Sequence, residues 1–119
     1  MLAVDGNGLP LGFHLDSANV AEVKLAEQTL DTIQVVRPRG SPKRRPQKLV
    51  AGRGYDSSAF RAALCRRGIR MCIPPKRRPA KWKAKRGRPV MARKDDYRQR
   101  YKVEQSFAWL GNFRRRLIR

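Results

Sequence analysis

Residues 95–119 read DDYRQRYKVEQSFAWLGNFRRRLIR, an amphipathic helical pattern whose polar edge has an unusual composition. At about 100° of rotation per residue, Tyr97, Arg100 and Glu104 fall along one edge of the cylinder. Val103, Phe107, Leu110 and Leu117 form the neighbouring apolar stripe. The expectation is that the apolar stripe docks and that the polar edge then faces a cleft. Asp96 is an N-cap candidate, and Gln99, three residues on, completes a capping box, so the helix is expected to begin just before Tyr97. By periodicity alone, Glu104 is an exposed helical carboxylate paired with Arg100 or Lys102.

Upstream of this helix the chain alternates short apolar runs with helical patterns. Lys48-Leu49-Val50-Ala51 reads as a buried parallel strand. Gly52-Arg53-Gly54-Tyr55-Asp56-Ser57 then carries the chain from strand end to helix start, and functional sites collect at strand C-termini in open α/β sheets. Asp56 stands where a helix N-cap is needed. A second helix follows from about Ser58 to Arg67, with Phe60, Ala63 and Leu64 apolar and Gly68 as its left-handed cap. Ile69 to Ile73 is the next strand, stopped by Pro74-Pro75.

From Lys76 to Lys94 there are ten Lys or Arg among 19 residues, no acidic residue and one aromatic, Trp82. Such a composition cannot build a core but suits a polyanion. The candidate DNA-binding residues are Lys76, Arg77, Arg78, Lys81, Lys83, Lys85, Arg86 and Arg88, joined by Arg114, Arg115 and Arg116 at the end of the last helix. Lys85-Arg86-Gly87-Arg88-Pro89 resembles the core of AT-hook peptides, whose arginines lie in a narrow minor groove. A generic phosphate-binding loop and a solvated run without fixed structure are the alternatives.

At the other end, Leu2-Ala3-Val4, the turn-rich Asp5-Gly6-Asn7-Gly8 and the apolar Leu9 to Leu15 read as a hairpin. Asp5 is expected to bond its own backbone there, and His14 to be an ordinary strand residue. Asn19 is an N-cap candidate with Glu22 at the third helical position, and Val23, Ala26 and Leu30 recur at helical spacing, so a first helix is expected to end near Leu30 or Asp31. Arg37 to Lys48, with three prolines, a glycine and six basic residues, is a loop that either touches phosphate or merely connects.

Formal net charge is +20, unevenly spread: residues 1–32 carry one Lys against five acidic residues, and residues 33–119 carry 28 Lys and Arg against four. Self-repulsion on this scale opposes compaction and is relieved by a polyanion that releases counterions. Nucleic acid fits this better than a membrane, since no segment pairs a basic face with a wide apolar one. No apolar run of about 18 residues and no secretory-signal plan is present, so a soluble cytoplasmic protein is expected. Cys65 and Cys72 do not make a disulfide framework, and with a single His, zinc is not expected; both thiols are expected to be buried. RNA is disfavoured by the scarcity of aromatics free to stack. At 119 residues, one modest domain is expected.

Tyr97-x2-Arg100-x3-Glu104, followed by SFAWLGNFRRR, resembles the C-terminal motif of bacterial insertion-sequence DDE transposases. DGNGLPLGFHLDSANVAEVKLAEQTLD and LVAGRGYDS resemble the segments after that family's first catalytic aspartate and around its second. Few other families show all three in this order. The resemblance implies an α/β chain, a partial ribonuclease-H-like fold lacking its first strand, spanning residues 1–119 with a basic insertion over 76–94. It implies Glu104 as the catalytic metal-binding carboxylate, with Tyr97 and Arg100 beside it, and magnesium as the cofactor. It also implies DNA, both transposon ends and target, as the partner, with a second copy or a complementing transposase chain as further partners. A nucleoid-associated location follows. Three departures stand out: Gly52 occupies the family's second aspartate position, the strand bearing its first aspartate is expected upstream of Met1, and Gly111 stands where its usual lysine is found. With Glu104 as the one carboxylate present, the expectation is a DNA-binding part of a transposase, catalytically incomplete alone, or a basic DNA-binding module derived from one.

Overall fold

The computed structural model describes residues 1–17, 19–77, 79 and 92–117, the last four by backbone alone. Nine short elements follow in order: β1 (Leu2–Val4), β2 (Pro10–Phe13), α1 (Glu22–Asp31), β3 (Lys48–Val50), a 3-10 turn (Arg53–Tyr55), α2 (Ser58–Arg66), β4 (Arg70–Cys72), α3 (Lys94–Arg98) and α4 (Tyr101–Leu117). The result is a small α/β unit with two separate two-stranded sheets, β1 antiparallel to β2 and β3 parallel to β4.

The β1–β2 hairpin follows from its turn. Asp5 Oδ1 accepts the backbone N–H groups of Asn7 and Leu9 at 2.8 and 2.9 Å, so this carboxylate is spent on the turn, as its sequence context implies. Register then runs Leu2↔Phe13, Ala3↔Gly12 and Val4↔Pro10, with an irregularity between Ala3 and Val4. Gly12 marks a close approach: a β-carbon there would meet Thr32 Oγ1 at 2.5 Å and Ile33 Cγ1 at 3.2 Å. The hairpin is thereby pressed onto the C-terminal end of α1.

Ala26, Leu30, Ile33, Phe60, Leu64, Ile69 and Ile73 form one buried cluster, against which Ala3, Leu11, Leu49, Tyr55 and Met71 pack. Phe60 and Leu64, one turn apart on α2, are wholly buried, which is the expected outcome of their i, i+4 spacing. Gly68, at φ +65°, ends α2 in the left-handed conformation that a side chain resists, and Ile69 N–H reaches back to the Leu64 carbonyl at 2.9 Å. The chain thus turns directly into β4. The 37–47 segment is a loop held by an antiparallel bridge, Val35 with Lys43, and by Arg45 donating to the Arg67 carbonyl at 3.2 Å.

Several expectations are corrected. The C-terminal helix is divided: α3 ends at Arg98, Gln99 and Arg100 form a turn, and α4 restarts at Tyr101. Asp96 caps nothing, because its carboxylate takes the Lys48 ammonium at 2.6 Å and lies inside α3. Asn19 caps nothing either; α1 starts at Glu22 after Ala21. The apolar stripe of α4 docks only in part. Val103 is half-buried, while Phe107 and Leu110 are exposed, and Ser106 is the buried residue, its hydroxyl donating to the Gly8 carbonyl at 2.6 Å. β3 is half-buried rather than buried, because it has a neighbour on one side only among the described residues. Cys72 is buried as expected, but Cys65 is exposed on α2.

Candidate functional site

β3 and β1 belong to different sheets, and between them opens a cleft of about 870 Å³ that α3 and α4 close from one side. Its walls include Leu2, Val4, Leu49, Gly52, Arg100 and Glu104. β3 delivers Gly52 to this cleft. Ala51 N–H still bonds the Cys72 carbonyl, and Gly52 continues extended before its carbonyl accepts from Tyr55 N–H at 3.1 Å and starts the 3-10 turn. The strand therefore ends at the cleft wall, and the chain then leaves for α2.

The α3–α4 turn supplies the adjoining wall. Arg100 N–H bonds the Tyr97 carbonyl at 3.0 Å, which ends α3 and fixes Arg100 at the joint. Its guanidinium donates through Nη2 to Glu104 Oε1, one turn along α4. The same guanidinium covers Gly52: a β-carbon built there would lie 3.2 Å from Arg100 Nη1. The Tyr97 ring lies under it, with the guanidinium carbon 6.0 Å from the ring centre. The structure thus brings Gly52, Tyr97, Arg100 and Glu104 together, with Arg100 as the bridge. The Arg100 and Glu104 side chains remain 42% and 58% exposed, so the pair is solvated at the cleft mouth.

Asp56 is not the α2 N-cap; Ser57 holds that position and no side chain caps the helix. The Asp56 carboxylate accepts Arg61 Nε at 2.8 Å on one oxygen and the Lys76 backbone N–H at 2.7 Å on the other. Arg61 in turn donates to the Ile73 carbonyl at 2.7 Å. This carboxylate therefore ties α2 to the chain leaving β4, at the root of the basic stretch. Across the cleft, the Lys48 ammonium bonded to Asp96 holds that carboxyl below the ordinary carboxylate range. Burial, followed by the charge of Glu22, pushes the Tyr55 phenol up, and burial pushes the Cys72 thiol up.

These residues do not fit a pair of divalent cations. Such a site needs carboxylates shared between the metals, whereas Gly52 offers no ligand, Glu104 is engaged by a guanidinium and Asp56 is engaged by Arg61. Among the described residues, no three His, Cys, Asp or Glu side chains gather as a metal-ligand set.

Of the expected DNA-binding residues, Lys76 and Arg77 are exposed beyond β4. Arg78, Lys81, Lys83, Lys85, Arg86 and Arg88, along with Trp82, lie outside the described residues, and Arg114, Arg115 and Arg116 are placed on α4 by backbone only. Lys48 and Asp96, which join β3 to α3, escape the sequence reading because 48 positions separate them. A lone Lys at the head of an apolar strand is the one signal available for that pair. Among the described residues, no helix is long and apolar enough to cross a membrane.

A family model described as "Transposase DDE domain" matches residues 1–119. The chain is 38% identical, over 119 residues, to the putative transposase for insertion sequence element IS402 of Burkholderia cepacia, covering 99% of this chain and 51% of that protein. It therefore spans about half the length of the relative it matches. No solved structure matches it. With strand end, basic joint and glutamate meeting at one cleft, and a match running the length of the chain, the chain belongs to the DDE-domain transposases of insertion sequences.

Proposed function

We propose that residues 1–119 are part of a transposase catalytic domain that binds DNA in transposition and does not cut it unaided. The fold under this reading is a partial ribonuclease-H-like one. β1 and β3 each pair on one side only among the described residues, and both line the cleft between the sheets. A strand laid in the cleft between β1 and β3 would join the two sheets into one.

The observation that carries the proposal is the meeting of Gly52, Arg100 and Glu104, which brings two positions 52 residues apart in sequence to one cleft. Tyr97 and Arg100 hold a DNA phosphate beside that cleft. The basic stretch over 76–94, which leaves β4 next to the Asp56 anchor, runs along the DNA backbone together with Arg114 to Arg116. Transposon ends and target DNA are the partners, and the bacterial cytoplasm and its nucleoid are the place of action.

The absence of a carboxylate at position 52 favours the DNA-binding role over a cutting one. Two measurements test the reading. Affinity for duplex DNA, followed against salt, is expected to fall with a logarithmic slope of about −4 or steeper, since each neutralised phosphate contributes about 0.9. Transposon-end DNA mixed with the chain and magnesium is expected to remain intact. A flat salt response, or nicking abolished by Glu104→Gln, overturns the proposal.

A further inference from the structure

The expected cation site and the observed side chains disagree, and the disagreement has a definite form. Between position 52 and Glu104 there is already a positive charge. Arg100 Nη1 covers the face of Gly52, at 3.2 Å from where a β-carbon would be, and Nη2 of the same guanidinium bonds Glu104. An aspartate at position 52 would have to push this group aside or pair with it. Gly52 leaves the guanidinium its place.

A guanidinium is planar and permanently charged, with five N–H donors, so one bonded to a carboxylate on one side still presents donors on another. The Arg100 side chain is 42% exposed at the cleft mouth. The Tyr97 ring beneath it restrains the group without using a donor.

We propose that Arg100 is a built-in cation at this site: it neutralises Glu104, occupies the space beside Gly52, and receives a DNA phosphodiester directly, so that phosphate binding at the cleft requires no divalent metal. This rests on the reading of the chain as a DNA-binding part of a DDE transposase. Its ligand is a phosphate oxygen of duplex DNA, and its cost is the loss of a metal-binding centre.

The test uses the whole chain. Manganese, titrated to about 1 mM, which would half-fill even a weak site with a Kd of about 1 mM, is expected to cause no saturable broadening of the Gly52 and Glu104 amide signals. DNA affinity is expected to be the same in EDTA and in magnesium at matched ionic strength. Arg100→Gln is expected to reduce the salt slope by about 0.9, the loss of one phosphate contact. Saturable broadening at Gly52 and Glu104 in the unaltered chain, or DNA binding that EDTA abolishes, overturns the proposal while leaving the DNA-binding reading intact. Failure to bind DNA under any condition defeats that reading itself. The manganese and EDTA arms need no variant and stand even if Arg100→Gln does not fold.

Discussion

Replacing Asp56 separates a structural role from a catalytic one. In the structure its two carboxylate oxygens serve different masters: Arg61 Nε at 2.8 Å and the Lys76 N–H at 2.7 Å, with the Asp56 and Arg61 side chains only 7% and 16% exposed. Asp56→Ala removes both acceptors and leaves a mostly buried guanidinium whose remaining hydrogen bond, among the described residues, is to the Ile73 carbonyl. Breaking a fully buried pair costs about 3–5 kcal/mol. With residual exposure at Arg61, the lower end applies, about 3 kcal/mol. Asp56→Asn keeps one acceptor and turns an amide N–H toward the Lys76 N–H, so about 2 kcal/mol is expected from the loss of one charge-assisted bond. Urea unfolding followed by circular dichroism reads this as a fall in midpoint of about 1 M or more for a chain of this size. Adding Arg61→Ala to Asp56→Ala is expected to cost less than the sum of the two single changes, since the remaining charge no longer lacks its partner. A midpoint unchanged in both Asp56 variants would refute the anchoring role.

Three further outcomes follow from single contacts. Gly12→Ala forces a β-carbon against Thr32 Oγ1 at 2.5 Å and is expected to destabilise by about 1–3 kcal/mol in the same urea experiment. Asp96 has a carboxyl held low by Lys48. Its stabilising contribution is therefore full above the unfolded-chain value of about 3.9 and lost as pH falls through the lower folded value, and Asp96→Asn is expected to flatten the acid limb of a stability–pH profile. In β3, the Gln47 carbonyl and the Ala51 N–H both face β4, so the alternation of a parallel ladder turns the Val50 N–H toward the open side. Hydrogen exchange is expected to be faster at Val50 than at Leu49, and equal protection would show that the edge is covered.

Local chemistry made much of this fold readable from sequence. Asp5-Gly6-Asn7-Gly8 carries its turn in its own side chains, Gly68 alone can end α2 as it does, and the i, i+4 pair Phe60 and Leu64 marks the buried face of α2. Long-range pairing was not readable. Asp96 has every local mark of an N-cap, yet Lys48 outcompetes the backbone for it, and the helix breaks at Gln99–Arg100 instead. Asp56 is likewise drawn from the α2 terminus to Arg61 and Lys76. Periodicity places Val103, Phe107 and Leu110 along one edge of α4 but does not say how much of it is covered, and Phe107 and Leu110 remain exposed. At the candidate site, the motif spacing named Tyr97, Arg100 and Glu104. The lodging of Arg100 over Gly52 depends on how β3 meets the α3–α4 turn, which no local pattern encodes.

The most direct test is the set of amide signals that shift when a short duplex DNA is added to the uniformly labelled chain. Shifts at Gly52, Tyr97, Arg100 and Glu104 that saturate together with those of Lys76 and Arg77 are predicted. Shifts confined to the basic residues, with the cleft unmoved at saturation, would contradict the assignment of the cleft to DNA.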